Sequence, residues 1–490
     1  MAKQTASPGP PSNFRIFINE DNDHYFKLDS NLMNEQHLRD YIDRYAMIGI
    51  DTISFCTSGQ RCSFRSRVLD AVWDPLPDGV KPDYSAWTMN TESLFKAGID
   101  PYLIWLDQCR RRGIHAWIST RMNDMHHTHP SLRFRADRRW ASHPQWMRGP
   151  FRGVLSPDRE WDYYQKLQPD MAWNYAHPEV RALMLELLKE NTEHYDAETF
   201  ELDFSRTFFC LTPGHAGEDS HFLTEMLRDY KKHLIQMERR RGHIIKVAVR
   251  LPWTPQIAAS WGFDVRQWAE EKLADIIVAS PFCASFQYDF PLSEWRDAVG
   301  DDIDVIPAVD QWISPSPGLP PRNTTAEFLR GWCGVMAAQG ASAVYLFNFP
   351  YFVQEDCLGP EAEKFRDMAD FGMNRILESD GPRCTQAGYL DFPAEGESCR
   401  SVFPNRLDGN TVVVTLPFGN VPEGGRVTVR PEIDSPISPG GLEIRLNGQL
   451  ADADGVVDAA VLRTGANEIT LRGDSCVIAN LYLTWSPFRR

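Results

Sequence analysis

The chain lacks most of the marks that would settle its class at once. Its ten cysteines form no CxxC pair and keep no regular spacing, so neither a zinc site nor a disulfide framework is signalled. Net positive charge is missing as well. At −16 the chain has no basic face for non-specific binding to nucleic acid or to an anionic membrane, so an anionic ligand must meet local arginines. No run reaches the ~18 apolar residues of a membrane span, and MAKQTASPGPPSNF has no apolar core of signal-peptide length. Reduced thiols in a cytosol are therefore expected, or an exported protein if a signal has been removed. Also absent are GxSxG, HExxH and a phosphate-cradling glycine loop, and no cofactor is expected.

What is present is a regular beat. A 490-residue chain with 42% hydrophobic and 24% charged residues is a packed globular protein, expected as one large domain plus one small one. Residues 1–13, rich in Pro, Ser and Gly, read as a loose tail. Eight apolar runs then follow: FRIFIN (14–19), DTISFC (51–56), HAWIST (115–120), TFELDF (199–204), IIKVAV (244–249), DIIVAS (275–280), DVIPAV (304–309) and AVYLFN (343–348). Between them lie segments such as EQHLRDYIDRYAMIG, YLIWLDQCRRRG, PEVRALMLELLKENTEHY, VRQWAEEKLA and AEFLRGWCGVMAAQG. Their apolar residues recur at three- and four-residue steps, as helices covering a sheet require.

Eight strand-then-helix units, the last closed by a helix at 361–378, predict an α/β fold: a (β/α)8 TIM barrel over 14–380. A dinucleotide-binding open sheet would show a glycine-rich first turn, whereas FRIFIN runs into EDNDHY. From 395 to 490 short alternating strands (TVVVTLPF, RVTVRPEI, LEIRLNG, AVLRTG, NEITLRG, VIANLYLTW) predict a C-terminal all-β, sandwich-like domain. That module is expected to bind sugar, to form a homodimer interface or to cover the barrel.

In such a barrel chemistry sits where strands finish. Strand one ends in Asn19, Glu20, Asp21, Asn22, Asp23 and His24, and strand three in Arg121, Asn123, Asp124, His126 and His127. Strand four gives Glu201, Asp203 and Arg206; strand five gives Arg250 and Trp253; strand seven gives Asp310, Gln311 and Trp312; strand eight gives Asn348, Phe349 and Tyr351. Each has an ordinary alternative. A loop histidine is usually only solvated, and Asp21 or Asp23 could cap a turn. Glu201 and Asp203 alternate along their strand, so one is expected inward and the other against the helices. Arg121 and Arg206 could neutralise these acids, and Trp253, Trp312 and Tyr351 could pack the rim. The joint occurrence at one rim is what points to a pocket.

A catalytic metal is not expected: HHTH offers imidazoles and Asp124 a carboxylate, but arginine at the same strand end opposes a cation. Carboxylates and a histidine among Trp and Tyr platforms suit a carbohydrate, and glycoside hydrolysis needs a proton donor and a second group that attacks or activates water. RMNDMHH, ELDFSR, the Asp-rich turn and LFN resemble the (β/α)8 sialidases of glycoside hydrolase family 156 and their relatives, over residues 14 to about 378. The resemblance implies an inverting exo-sialidase whose catalytic pair is an aspartate, Asp21 or Asp23, and a histidine, His126 with His127 as the alternative. It implies further that Arg121 and Arg206 hold the sugar carboxylate and that Asn348 bonds elsewhere on a sialoside. The rival enzyme reading is a glycosidase for a neutral or uronic sugar using Asp203 with Asp310 or Glu201. The rival of another class is a carbohydrate-binding barrel without catalysis.

Overall fold

The structure is a computed structural model that describes residues 14–76, 79–81, 84–149, 168–282, 284–314, 316, 319–349, 381–390, 400–421, 424–434, 441–473 and 476–488. The expected tail at 1–13, the helix at 361–378 and Tyr351 lie outside these. The eight apolar runs form strands β1 (Arg15–Glu20), β2 (Thr52–Cys56), β3 (His115–Arg121), β4 (Thr199–Asp203), β5 (Lys246–Pro252), β6 (Ile276–Ser280), β7 (Asp304–Asp310) and β8 (Ala343–Phe347). Each pairs in parallel with its sequence neighbour, and β1 pairs with β8, Ile16 opposite Val344, to close the barrel.

Strand parity decides what fills the ring. Side chains alternate across a strand, so Ile16, Ile18, Ile53, Phe55, Ile118 and Leu202 join the core beneath the helices. The other parity packs Phe17, Trp117, Ala248, Val278, Ile306 and Tyr345 inside the barrel. Phe17 meets Trp117 edge to face at 5.2 Å, a geometry worth about 0.5–1.5 kcal/mol beyond area burial.

Around the ring run α1 (Glu35–Met47), α2 (Ala86–Lys96), α3 (Pro101–Arg112), α4 (Pro178–His194), α5 (Ala216–Arg241), α6 (Leu292–Val299) and α7 (Ala326–Ala338). Their ends follow local chemistry: the Asn34 side chain caps α1, Asp100 caps α3 ahead of Pro101, and Gly113 and Gly242 end α3 and α5 at positive φ. Two helices, α2 and α3, stand between β2 and β3 where the sequence pattern marks one. No helix among the described residues is long and apolar enough to cross a membrane.

The C-terminal domain packs two antiparallel sheets. One joins β9 (Arg383–Gln386), β11 (Arg426–Ile433) and β14 (Cys476–Ser486); the other joins β10 (Thr411–Phe418), β12 (Leu442–Leu446) and β13 (Gly465–Gly473). Val412, Val414, Leu416 and Phe418 alternate inward to meet Val427, Val429, Leu481 and Leu483. Two expectations change. AVLRTG is not a strand: Asp458 accepts from Ala460 N and caps a 3-10 turn at Ala459–Val461. The domain's first described strand, β9, also precedes residue 395. The sandwich docks on α7, where a Cβ on Gly331 would stand 2.0 Å from the Cys384 carbonyl oxygen, so only glycine fits. Arg322 and Glu432 bridge the two domains at 2.5 Å.

Candidate active site

Near the C-terminal ends of the strands the inward parity turns from apolar to charged. Arg121 on β3, Asp203 on β4 and Arg250 on β5 are register partners, which sets a cation, an anion and a cation side by side. Asp310 on β7 and Phe347 on β8 are likewise opposite one another. The expectation that Glu201 and Asp203 face opposite ways is corrected. Two residues apart on a strand share a face, and both point inward. Glu201 accepts from Ser119 Oγ at 2.7 Å, and Asp203 accepts two bonds from Arg250 Nη1 at 2.9 and 3.0 Å.

One chain of contacts links the first strand end to the fourth. Arg121 Nη2 donates to both Asp21 oxygens at 2.5 Å, and its Nη1 donates to Asp124 Oδ2 at 2.8 Å. Asp124 Oδ1 accepts from the backbone N–H of His126 at 2.8 Å and from ring Nδ1 at 2.7 Å. His126 Nε2 then faces Arg206 Nη2 at 2.6 Å. Because an arginine has only donors, His126 is the neutral tautomer with its proton on Nδ1. The turn at 20–24 and the loop at 121–127 thus meet at one mouth.

Electrostatics assign charge states. Burial alone would raise Asp21, but Arg121 overrides it and, with His24 and Arg206, holds the carboxyl well below the usual range. Burial would likewise raise Asp124, and His126 with Arg121 holds it far down. Burial pushes His126 down to about 4, against the pull of Asp124. At neutral pH both Asp21 and His126 are therefore unprotonated.

Across the mouth Asp310 behaves oppositely. Shielding by the rim pushes its carboxyl up to about 7, although Arg206 and Arg250 face it and its surface is partly open. Trp312 N donates to its Oδ1 at 3.1 Å and Asn348 Nδ2 to its Oδ2 at 3.2 Å. Asn19 holds Asn348 in turn, its Oδ1 accepting the Asn348 N–H at 2.6 Å. Beneath lies Glu201, raised to about 7 by burial and then by Asp203. The Arg250 guanidinium carbon lies 3.7 Å from the centre of the Phe347 ring, a desolvated cation–π contact.

The side chains of the other nominated residues take partners of their own, Asp23 doing so close beside Asp21. Asp23 pairs with Lys27 at 2.8 Å and Arg135 at 3.4 Å. Asn123 is a tie between loops, its Nδ2 donating to Trp173 O and Phe209 O, each at 2.9 Å. His127 is buried with its ring edge-on to Trp140 at 4.4 Å. Trp253 packs on Phe290 under the rim, and Trp312 is 41% exposed. The HHTH imidazoles therefore do not converge: His129 Nδ1 accepts from Ser131 N at 3.2 Å. Among the described residues, ligand atoms of Asp21, Asp23 and His24 do lie within 4.8 Å of one another. Arg121 and Lys27 already neutralise those two carboxylates.

Sequence reading missed the supports. Gly59 leaves space for the Arg121–Asp124 pair, since a Cβ there would stand 3.1 Å from Asp124 Oδ2, and Gln60 Nε2 donates to Asp124 O at 3.0 Å. Parity alone could have nominated Ser119, Tyr345 and Phe347.

No family model and no curated protein matches the chain. Solved structures that resemble it include the α-galactosidase AgaA of glycoside hydrolase family 36 from Geobacillus stearothermophilus: 12% identical, TM-score 0.36, covering 96% of this chain and 55% of that one. A cycloisomaltooligosaccharide glucanotransferase from Paenibacillus sp. is 9% identical, TM-score 0.37, covering 97% and 57%. The maltogenic α-amylase AmyB from Thermotoga neapolitana is 9% identical, TM-score 0.38, covering 96% and 99%. The chain thus spans little more than half the length of the first two. These distant likenesses decide nothing about the reaction, and the barrel stands on its own strand pairing.

Proposed function

We propose that the protein is a glycoside hydrolase for a terminal sugar bearing a carboxylate, an inverting exo-sialidase. The observation that carries this reading is the row Asp124–His126–Arg206, with contacts of 2.7 and 2.6 Å. A carboxylate behind Nδ1 orients a neutral imidazole as a base. The guanidinium in front of Nε2 is the natural partner of a sugar carboxylate. When such a substrate binds, Arg206 turns to the carboxylate and uncovers Nε2 for water.

In the reaction, water gives a proton to His126 Nε2 as its oxygen attacks the anomeric carbon. The bond to the leaving oxygen breaks, and that oxygen takes a proton from Asp310, whose raised pKa keeps one available. Asp21, fixed as an anion by Arg121, has no proton to give at neutral pH. Its part in the implied pair is that of the charged partner. Arg121 is used up by Asp21 and Asp124 and is buried, which leaves carboxylate recognition to Arg206.

A panel of aryl glycosides that includes a sialoside tests the reading through phenol release. Release from the sialoside well above that from neutral glycosides supports it. Release from neutral sugars alone moves the site to the Asp203 glycosidase reading, and binding without any release supports a lectin-like barrel.

A further inference from the structure

Three non-glycine residues among those described have positive φ, and of these Asn348, at φ 61, stands at the barrel mouth. Asparagine tolerates this left-handed backbone better than most residues, yet glycine would suit it better still. The side chain is therefore there for something other than the turn. The conformation is pinned by the buried Asn19, whose Oδ1 accepts the Asn348 N–H at 2.6 Å. So fixed, the amide puts Nδ2 3.2 Å from Asp310 Oδ2, while its own Oδ1 is buried without a hydrogen-bond partner. The other Asp310 oxygen is held by Trp312 N at 3.1 Å.

We propose that Asn348 is a positioning residue for the proton of Asp310, serving both protonation states of that carboxyl with one amide. Toward the carboxylate it donates Nδ2–H; turned over, it offers Oδ1 to the carboxylic acid. As the proton leaves Asp310 for the leaving oxygen and the glycosidic C–O bond breaks, the new carboxylate takes the Nδ2–H bond. An aspartate could not donate, and a glycine could do neither. The charged groups facing Asp310 are Arg206 and Arg250, which attract the carboxylate but cannot accept from the acid. This inference rests on Asp310 being the proton donor of the proposed function.

The test compares Asn348→Gly, Asn348→Asp and Asp310→Asn with the unaltered protein. The readouts are thermal unfolding and the pH dependence of kcat/KM on two sialosides, one with an acidic phenol leaving group and one with an alkyl alcohol. Asn348→Gly is expected to fold, since glycine accepts the backbone angle. It should move the basic limb up by about one pH unit, because a donor to the charged form is gone. The alkyl sialoside should lose about 10- to 100-fold and the aryl one less, because only the former needs the proton. Asn348→Asp should move the limb further through a second carboxyl. If both variants keep the original limb while Asp310→Asn removes it, the inference falls and the donor stands. Equal losses on both leaving groups in a folded Asn348→Gly protein also overturn it, since they describe a plain substrate contact. Undiminished activity of Asp310→Asn on the alkyl sialoside overturns the donor assignment itself.

Discussion

Arg206 Nη2 and His126 Nε2 stand 2.6 Å apart, with Asp124 Oδ1 2.7 Å behind the same ring. In the proposed reaction this contact couples recognition to chemistry, since the group that would grip an anionic sugar also covers the proposed base. Replacing Arg206 by Met is expected to raise KM for a sialoside about 10- to 100-fold, the worth of a hydrogen bond to a charge. The acid limb should move to higher pH, because Arg206 helps to depress His126. Steady-state kinetics across pH check both.

His126→Gln removes the proposed base while keeping a polar side chain of similar reach. A drop in kcat of about 10²- to 10⁴-fold with little change in KM is expected. Asp124→Asn should cost less, since it weakens orientation and leaves the imidazole. Measuring kcat and KM separately for both variants distinguishes a base from a binding residue.

The pH profile of kcat/KM should be bell-shaped. Activity rises as His126 loses its proton near 4 and falls as Asp310 loses its own near 7. The optimum is therefore mildly acidic. A profile that climbs steadily through neutrality would assign the proton donor elsewhere.

Much of this was legible in the sequence. The eight strands follow from their β-branched and aromatic runs, and the gathering of Arg121, Asp124, His126, Arg206 and Asp310 follows from their places just after those runs. What sequence could not supply is direction. Trp253 follows a strand as Arg250 does, yet packs beneath the rim, and His127 adjoins His126 but turns to Trp140. The two-residue strand period did hold the answer for Glu201 and Asp203. The 3-10 turn at Ala459–Val461 was hidden because the short apolar run Ala460, Val461 and Leu462 reads as a strand, while the capping Asp458 lies just outside AVLRTG.

Asp203→Asn separates the two hydrolase readings. It leaves Arg250 buried beside a neutral amide, and breaking such a pair costs about 3–5 kcal/mol. A clearly lower Tm is expected, with measurable sialoside hydrolysis in the protein that stays folded. Complete loss of activity at an unchanged Tm would make Asp203 the catalytic carboxylate.

Glu20 provides a test of the scaffold alone. It points outward to α1, where Tyr41 Oη donates at 2.7 Å, and burial pushes its carboxyl up to about 8. A folded-state pKa above the unfolded value contributes stability that is full at low pH and lost as pH rises through the folded value. Glu20→Gln should therefore raise Tm above pH 8 relative to the unaltered chain and change it little near pH 4. Thermal melts at the two pH values decide.

The most direct measurement is phenol release from an aryl sialoside by the unaltered protein and by His126→Ala, at mildly acidic pH and equal folded concentration. The account expects steady release from the former and a loss of at least about 100-fold in the latter. Sugar binding without release, or undiminished release from His126→Ala, would contradict it.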